Sequence, residues 1–182
     1  MLKRWKKLTT TRVCQNPWWS YWIDEFEIPG GVRGEYHYVR TNGSSMVIPL
    51  TAEGQIILVN QYRYLGGQDS LEFPCGSVKP EHDYRQTARC ELQEETGFRA
   101  GRIQEIGHFN PYNGVTDEIC KVFLADQLEP SPVDPDATEE FELILRHPVE
   151  IDDMIRKGII WDGMSLAAWA LARRRVAEHL AD

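Results

Sequence analysis

Apolar and polar side chains alternate through the first part of the chain. The stretches at 18–29 (WWSYWIDEFEIP) and 34–41 (GEYHYVRT) both follow a period of two, and Pro-Gly-Gly at 29–31 separates them. Such alternation predicts strands with one buried face, so we expect two or three antiparallel strands within residues 1–43. Asn-Gly at 42–43 predicts a hairpin-type turn after these strands.

The rest of the chain mixes continuous apolar runs with helical patterns. Asp83 stands three residues before Gln86, which is a capping-box spacing, and Gly97 is a C-terminal stop signal. A helix is therefore predicted between them, with Ala88 and Leu92 as its apolar stripe. Strands are predicted at 45–50, 55–65, 70–74, 102–109, 118–126 and 141–148, further helices at 149–158 and 164–180, and a loop at 127–138. This mixed order predicts an α+β fold with helices packed on a sheet.

Composition narrows the class of protein. The 182 residues are 42% hydrophobic and 26% charged, with a net charge of −8, which is typical of a globular protein and disfavours a nucleic-acid partner. No apolar run approaches the roughly 18 residues of a membrane span, and the basic start at 3–7 has no apolar segment of a signal peptide. We expect that start to be a solvated tip. Four scattered cysteines without a CxxC spacing predict reduced thiols in a cytoplasmic protein.

Three glutamates stand close together on the helix that ends at Gly97. Glu91, Glu94 and Glu95 fall within about one quarter of the helix circumference, where like charges repel. Leu92 on the opposite side anchors the helix, and the loop at Gly76 comes directly before it. Carboxylates beside backbone carbonyls form an oxygen-rich site that suits Mg²⁺ or Mn²⁺. The alternative is a solvated acidic face without a ligand.

The segment 76–98 resembles the Nudix box, G-x5-E-x7-R-E-U-x-E-E-x-G-U, in which U is apolar. The matching positions are Gly76, Glu91, Leu92, Glu94, Glu95, Gly97 and Phe98. The resemblance implies a Nudix α/β/α sandwich with a mixed sheet at 44–182, preceded by an antiparallel β extension at 1–43 that helps to build a homodimer and a nucleotide pocket. It also implies that Glu91 and Glu95 bind a divalent metal, with the Cys75 backbone carbonyl as a further ligand and Glu94 as a ligand or water-orienting group.

Two box positions depart from the family pattern. His82 stands where the family has glutamate, and Cys90 stands where it has the arginine that orients the box carboxylates. Glu81 and Arg89 have the same eight-residue spacing one position earlier, which gives the hypothesis of a substitute brace. The alternative is an ordinary surface pair beside a weakened site.

Other segments resemble the ADP-ribose pyrophosphatase branch of the Nudix superfamily. The stretch at 59–76 (VNQYRYLGGQDSLEFPCG) is similar to its lead-in to the box, and 109–125 and 159–172 are similar to later segments. In the lead-in, Arg63 is a candidate phosphate or box-orienting contact, or else half of a strand-edge salt bridge. Glu72 is a candidate member of the metal site.

Substrate and base candidates also follow from this resemblance. Asn113 stands where ADP-ribose enzymes carry a proline, which leaves other nucleoside diphosphate sugars open, and Gly114 follows it in the same loop. Trp22 and Tyr38 are candidates for stacking on the nucleobase, the alternative being core or dimer packing. The remaining candidates, for a catalytic base in an acidic loop, are Glu140 and then Glu139.

The sequence therefore predicts a Mg²⁺-dependent Nudix pyrophosphatase. It would split a nucleoside diphosphate sugar, ADP-ribose first, into a nucleoside monophosphate and a sugar phosphate. One alternative is a non-catalytic Nudix-like protein that binds a nucleotide. Another is a Nudix hydrolase of a GDP-sugar or a dinucleotide.

Overall fold

The computed structural model describes residues 2–132 and 140–181. Its strands are β1 (Lys6–Gln15), β2 (Ser20–Glu27), β3 (Arg33–Arg40), β4 (Ser44–Pro49), β5 (Ile56–Arg63), β6 (Gln68–Glu72), β7 (Cys75–Ser77), β8 (Phe98–Phe109), β9 (Cys120–Pro130) and β10 (Glu142–Arg146). Its helices are α1 (Tyr84–Thr96), α2 (Pro148–Arg156) and α3 (Gly163–His179). The predicted α+β fold class is confirmed.

Contacts divide the chain into two compact units. Unit 1 comprises Met1–Asn42 and Asn110–Ile119, and unit 2 comprises Gly43–Phe109 and Cys120–Asp182. The segment at 110–119, which is remote in sequence from the N-terminal strands, therefore belongs to the same unit as those strands.

Unit 1 is built on an antiparallel sheet in the order β1-β2-β3. Strand β1 includes Lys6 and Lys7 of the basic start, so these residues lie in a strand rather than in a tip, although both are solvent-exposed as predicted. The Lys7 ammonium lies 2.7 Å from a carboxylate oxygen of Asp24 on β2. The segment at 110–119 joins this sheet through its backbone, because Val39 donates to the carbonyl of Val115 at 2.8 Å.

The predicted hairpin at 42–43 does not form. Gly43 has the positive φ of 89° that such a turn uses. However, β3 and β4 on either side of it belong to different sheets. The carbonyl of Gly43 instead accepts a hydrogen bond from the backbone of Val78 at 2.9 Å, which ties the start of β4 to the segment after β7.

Unit 2 holds two sheets in the orders β7-β4-β9-β8 and β10-β5-β6. Strands β4 and β9 run parallel, and the other strand pairs of unit 2 among the described residues run antiparallel, so the larger sheet is mixed as predicted. Alternation along β4 sends side chains to two separate cores. Val47 packs with Ala88 and Leu92 of α1, whereas Met46 and Ile48 pack in a core that contains residues of α2 and α3.

Helix α1 begins and ends where the sequence predicts. Asp83 accepts from the backbone of Gln86 at 2.7 Å, and the Gln86 side chain accepts from the backbone of Asp83 at 2.8 Å. Gly97 adopts a left-handed conformation with φ 72° and donates to the carbonyl of Gln93. The capping box and the glycine stop are both confirmed.

The first two strands after α1, β8 and β9, are longer than predicted, whereas β10 is shorter. Strand β8 begins directly after Gly97, and its first residue, Phe98, pairs with Pro130, so β9 takes up the first part of the loop predicted at 127–138. Residues 133–138 of that loop lie outside the described residues. Within the described chain, the three helices lack the length and apolar character required to cross a bilayer.

Candidate active site

The carboxylate of Glu91 lies against the backbone of Gly76. A Cβ added at residue 76 would lie 2.1 Å from the carboxyl carbon of Glu91, so a glycine is required for this approach. Glu95 is only 6% exposed and accepts a hydrogen bond from the backbone nitrogen of Cys75 at 3.3 Å. Strand β7 and helix α1 therefore bring two box carboxylates against one short piece of backbone.

Glu94 lies on the same side of the helix but is half-buried. One of its carboxylate oxygens lies 3.9 Å from the ammonium of Lys79, which precedes the helix. An ion pair at this distance and exposure contributes little to stability, so Glu94 retains freedom to turn toward another cation.

The donors gathered here fit a hard divalent cation. They are carboxylate and backbone oxygens, and the close approach at Gly76 sets one carboxylate beside the backbone. Over residues 2–132 and 140–181, however, no three histidine, cysteine, aspartate or glutamate side chains converge as a metal-binding group. A cation site here would therefore need backbone oxygen as well as Glu91 and Glu95.

The side chain of Cys75 is an unsuitable metal ligand. A hydrogen bond with the thiol of Cys120, together with burial and the nearby charges of Glu95 and Glu91, holds the pKa of Cys75 well above its usual range. A neutral thiol binds metal poorly. The prediction for this residue concerns its backbone carbonyl and not this thiol.

Arg63 and Glu72 form a two-pronged ion pair. The guanidinium donates to the two carboxylate oxygens at 2.8 and 2.5 Å, and Glu72 is 3% exposed. This hydrogen bonding raises the pKa of Arg63, and the charge of Asp162 adds to the effect. Of the two alternatives predicted for Arg63, the salt bridge is the one present here.

Cys90 stands at the position of the family arginine, and Arg89 does not take over the role of that arginine. Arg89 donates to the carbonyl of Ala100 at 3.0 Å, and no ion pair joins it to Glu81 within the described chain. The hypothesis of a substitute brace is wrong, because one residue of offset turns the arginine toward β8. Burial and the charge of Glu94 raise the pKa of the Cys90 thiol, which lines a cavity of about 390 Å³.

His82, the other departure, is partly buried in the connection before α1. Its Nδ1 atom has no hydrogen-bond partner among the residues that the structure describes. The residue thus does not reproduce the carboxylate that the family carries at this position.

The predicted substrate residues Tyr38 and Asn113 line one cavity of unit 1, of about 460 Å³. The Tyr38 hydroxyl donates to Asp24 at 3.1 Å and accepts from Arg40 at 2.9 Å. Burial and the hydrogen bond to Asp24 raise the pKa of Tyr38. The guanidinium of Arg40 lies 4.5 Å from the ring centre of Trp22.

The other loop and base candidates have different surroundings. The carbonyl of Gly114 accepts from the Tyr36 hydroxyl at 3.1 Å. Glu140 is exposed and lies just before β10. Glu139 lies outside the described residues.

Sequence reasoning missed three residues that line these cavities. Arg40 lies in the cavity of unit 1, and Trp161 and Asp162 lie in a cavity of unit 2 that also contains Arg63 and Glu72. The sequence marks Asp162 as a helix cap. The position of Trp161 directly before this cap is the signal that could have identified it. Only the folded chain places both beside the β5–β6 turn.

Comparison with known proteins identifies the class. A family model of the NUDIX domain matches residues 40–161. The ADP-ribose pyrophosphatase of Bacillus subtilis is 35% identical over 107 residues, which cover 59% of this chain and 58% of that protein. The methanol dehydrogenase activator of Bacillus methanolicus is 34% identical over 106 residues, covering 58% and 57%. The chain thus spans less than two thirds of the length of these relatives.

The fold agrees with this match. A crystal structure of an ADP compounds hydrolase superposes with a TM-score of 0.87, at 20% identity, over 98% of this chain and 97% of that one. The chain belongs to the NUDIX domain family. The predicted membership of the Nudix hydrolases is confirmed at the level of the family.

Proposed function

We propose that this protein hydrolyses the phosphoanhydride bond of a nucleoside diphosphate sugar, with ADP-ribose as the first candidate. The products would be a nucleoside monophosphate and a sugar phosphate. The observation that carries the proposal is the contact of Glu91 with Gly76 beside the bond from Cys75 to Glu95. This contact supports a cation site in which box carboxylates and backbone oxygen act together.

Hydrolysis of a phosphoanhydride depends mainly on positioning and charge neutralisation. When bound, Mg²⁺ or Mn²⁺ supplies positive charge to the diphosphate and lowers the pKa of a bound water. Glu91, Glu95 and the carbonyl of Cys75 would hold this cation. Glu94, which is only weakly paired, would be a further ligand or would orient the water.

A carboxylate after the proline-containing loop would take the proton from the attacking water. Glu140 is the first candidate because it is exposed and has no fixed ion pair within the described chain, and Glu139 is the second. Arg63 and Glu72 would border the reaction site, with Arg63 holding the buried carboxylate of Glu72 in place.

The nucleoside would bind in unit 1. The cavity lined by Tyr38 and Asn113 combines aromatic walls with donors and acceptors, as pockets for flat heterocycles do. Trp22 and Gly114 would shape its surroundings. We further propose that residues 1–43 form a homodimer surface, which the exposed Trp18 and Trp19 support, in a cytoplasmic protein.

A hydrolysis panel read by mass spectrometry tests the proposal. ADP-ribose, other nucleoside diphosphate sugars and dinucleotides are incubated with Mg²⁺, with EDTA, and with Glu95→Gln protein. Release of a nucleoside monophosphate that disappears in both controls is the expected result. The absence of turnover by wild-type protein with every compound would overturn the proposal.

A second candidate is a nucleotide-binding protein without catalysis. Cys90 in place of the orienting arginine favours it, and one relative is named for activating methanol dehydrogenase rather than for hydrolysis. Calorimetric titration with ADP-ribose separates the two, because such a module would bind the nucleotide equally well in EDTA and never release a monophosphate.

A further inference from the structure

A cavity of about 490 Å³ lies next to the candidate metal site within unit 2. Glu72 and Cys75 both line it, and the backbone nitrogen of Cys75 donates to Glu95 of the box. Trp161 and Leu65, which are 39% and 98% exposed, form an apolar part. The cavity is thus apolar on one side and rich in carboxylate on another.

The indole of Trp161 is held in place by its neighbours. Its Nε1 donates to the carbonyl of Asp69 at 3.3 Å. The ring edge lies against Gly66, where an added Cβ would be 3.3 Å away. The next residue, Asp162, caps helix α3 by accepting from the backbone of Ser165 at 2.7 Å, which fixes the backbone on that side. A ring fixed in this way loses little freedom when a ligand stacks on it.

The charges of the wall decide what kind of group fits. The charged side chains that line the cavity in the described chain are Arg63, Glu72 and Asp162, with a formal sum of −1. Arg63 already donates to both oxygens of Glu72. A phosphate would therefore be repelled, whereas hydroxyl groups would find carboxylate acceptors and a flat ring to stack on.

We propose that this cavity binds the uncharged sugar on the far side of the substrate's diphosphate, and that Trp161 sets the preference for it by stacking on the sugar ring. The inference rests on the proposed function, since it takes the diphosphate to lie at the box carboxylates. Trp161 is a specificity-determining residue and not a source of catalysis.

The test compares two substrates that differ only in the distal group. One is ADP-ribose, and the other is ADP with a methyl ester on its terminal phosphate. Replacement Trp161→Ala should raise KM for ADP-ribose roughly fivefold, the size of an aromatic stacking contribution, with KM for the methyl ester changed less than about twofold. Trp161→Phe should keep most of the preference, because it retains a ring.

Ile159→Ala is the matched control, since Ile159 is an exposed apolar residue in the same connection and lines a different cavity. Thermal melting checks that each variant folds. If Trp161→Ala leaves both KM values unchanged, or raises them equally, the proposal is overturned.

A binding measurement separates this inference from the proposed function. The probes are the α,β-methylene analogue of ADP-ribose and α,β-methylene-ADP, titrated calorimetrically with Mg²⁺. The ribose-bearing analogue should bind wild-type protein more tightly, and Trp161→Ala should remove most of that difference. Failure of wild-type hydrolysis would overturn the function alone, whereas equal affinities for the two analogues would overturn the sugar site.

Discussion

The carboxylates in and beside the candidate active site are held in two different ways. Glu72 is held by a guanidinium that donates to both of its oxygens. Glu91 and Glu95 are held by shape and by backbone, through the glycine at 76 and the amide of Cys75. An ion pair neutralises its carboxylate, whereas the backbone cradle, formed by Cys75 and Gly76, positions the carboxylates of Glu91 and Glu95 beside the main chain. The second arrangement is the one expected of a metal site.

Disrupting the backbone cradle should have the largest effect. Gly76→Ala places a methyl group where the Glu91 carboxylate lies, and displacement by about 1 Å lowers kcat/KM on the order of 10²-fold. Steady-state kinetics with a nucleoside diphosphate sugar measures this. Gly163→Ala is the control, because an added Cβ there meets nothing within 4 Å. Near wild-type turnover by Gly76→Ala would show that the Glu91 position is unimportant.

Breaking the ion pair should mainly change stability. Arg63→Ala leaves the buried Glu72 charge without its donor, and we expect a loss of about 2 kcal/mol in the free energy of unfolding. Urea denaturation followed by circular dichroism gives the value. The double variant Arg63→Met with Glu72→Gln should recover much of it, because the uncompensated charge is gone. Additive losses in the double variant would contradict this account.

Restoring the family arginine should have a smaller effect on rate. Cys90→Arg adds a cation beside Glu94, and its cavity of about 390 Å³ has room for the longer side chain. We expect a roughly threefold rise in kcat/KM, which corresponds to about 0.7 kcal/mol. Cys90→Met adds bulk without charge and serves as the control. A lower rate for the arginine variant than for the methionine variant would mean that the backbone cradle is already sufficient.

The smallest effect is expected at Asp24 in unit 1, a carboxylate whose ion-pair partner Lys7 is exposed. Burial alone would raise its pKa, but hydrogen bonds from Lys7, Thr10 and Tyr38 outweigh burial and lower it. Its contribution to stability is therefore present above the unfolded pKa of about 3.9 and is lost as the pH falls through the lower folded pKa.

Urea unfolding of Asp24→Asn and wild-type protein between pH 7 and pH 3 tests this sign. The difference in unfolding free energy should be under about 1 kcal/mol at pH 7 and should shrink toward pH 3. A difference that grows as the pH falls would show that Asp24 has a raised pKa instead.

Structure that depends on neighbouring residues could be predicted from the sequence, whereas structure that depends on contacts between distant segments could not. Helix α1 was predictable because Asp83, Gln86 and Gly97 act within the helix or next to it. Two or three strands were predicted within residues 1–43 and three are present among the described residues there, but the position of β1 was not predicted because its polar sequence forms a strand only by pairing with β2. The same limit applies to sites made from separate segments.

The candidate site shows this limit residue by residue. The box glutamates stand in one short segment, so their shared face followed from helix geometry. The hydrogen-bond partner of Arg89 could not be predicted in this way, because the carbonyl of Ala100 becomes available only when β8 lies beside the helix. The cavity-lining position of Trp161 could likewise not be predicted, since its contact with Gly66 joins the start of α3 to the β5–β6 turn.

The parallel pairing of β4 with β9 has a consequence for synthesis on the ribosome. Ser44 pairs with Cys120 and Pro49 with Ala125, so the apolar strand β4 lacks this neighbour until most of the chain has been made. Contacts between such distant segments slow folding and leave strand edges open to aggregation. Nascent chains that end before β9 should therefore be the ones that engage chaperones.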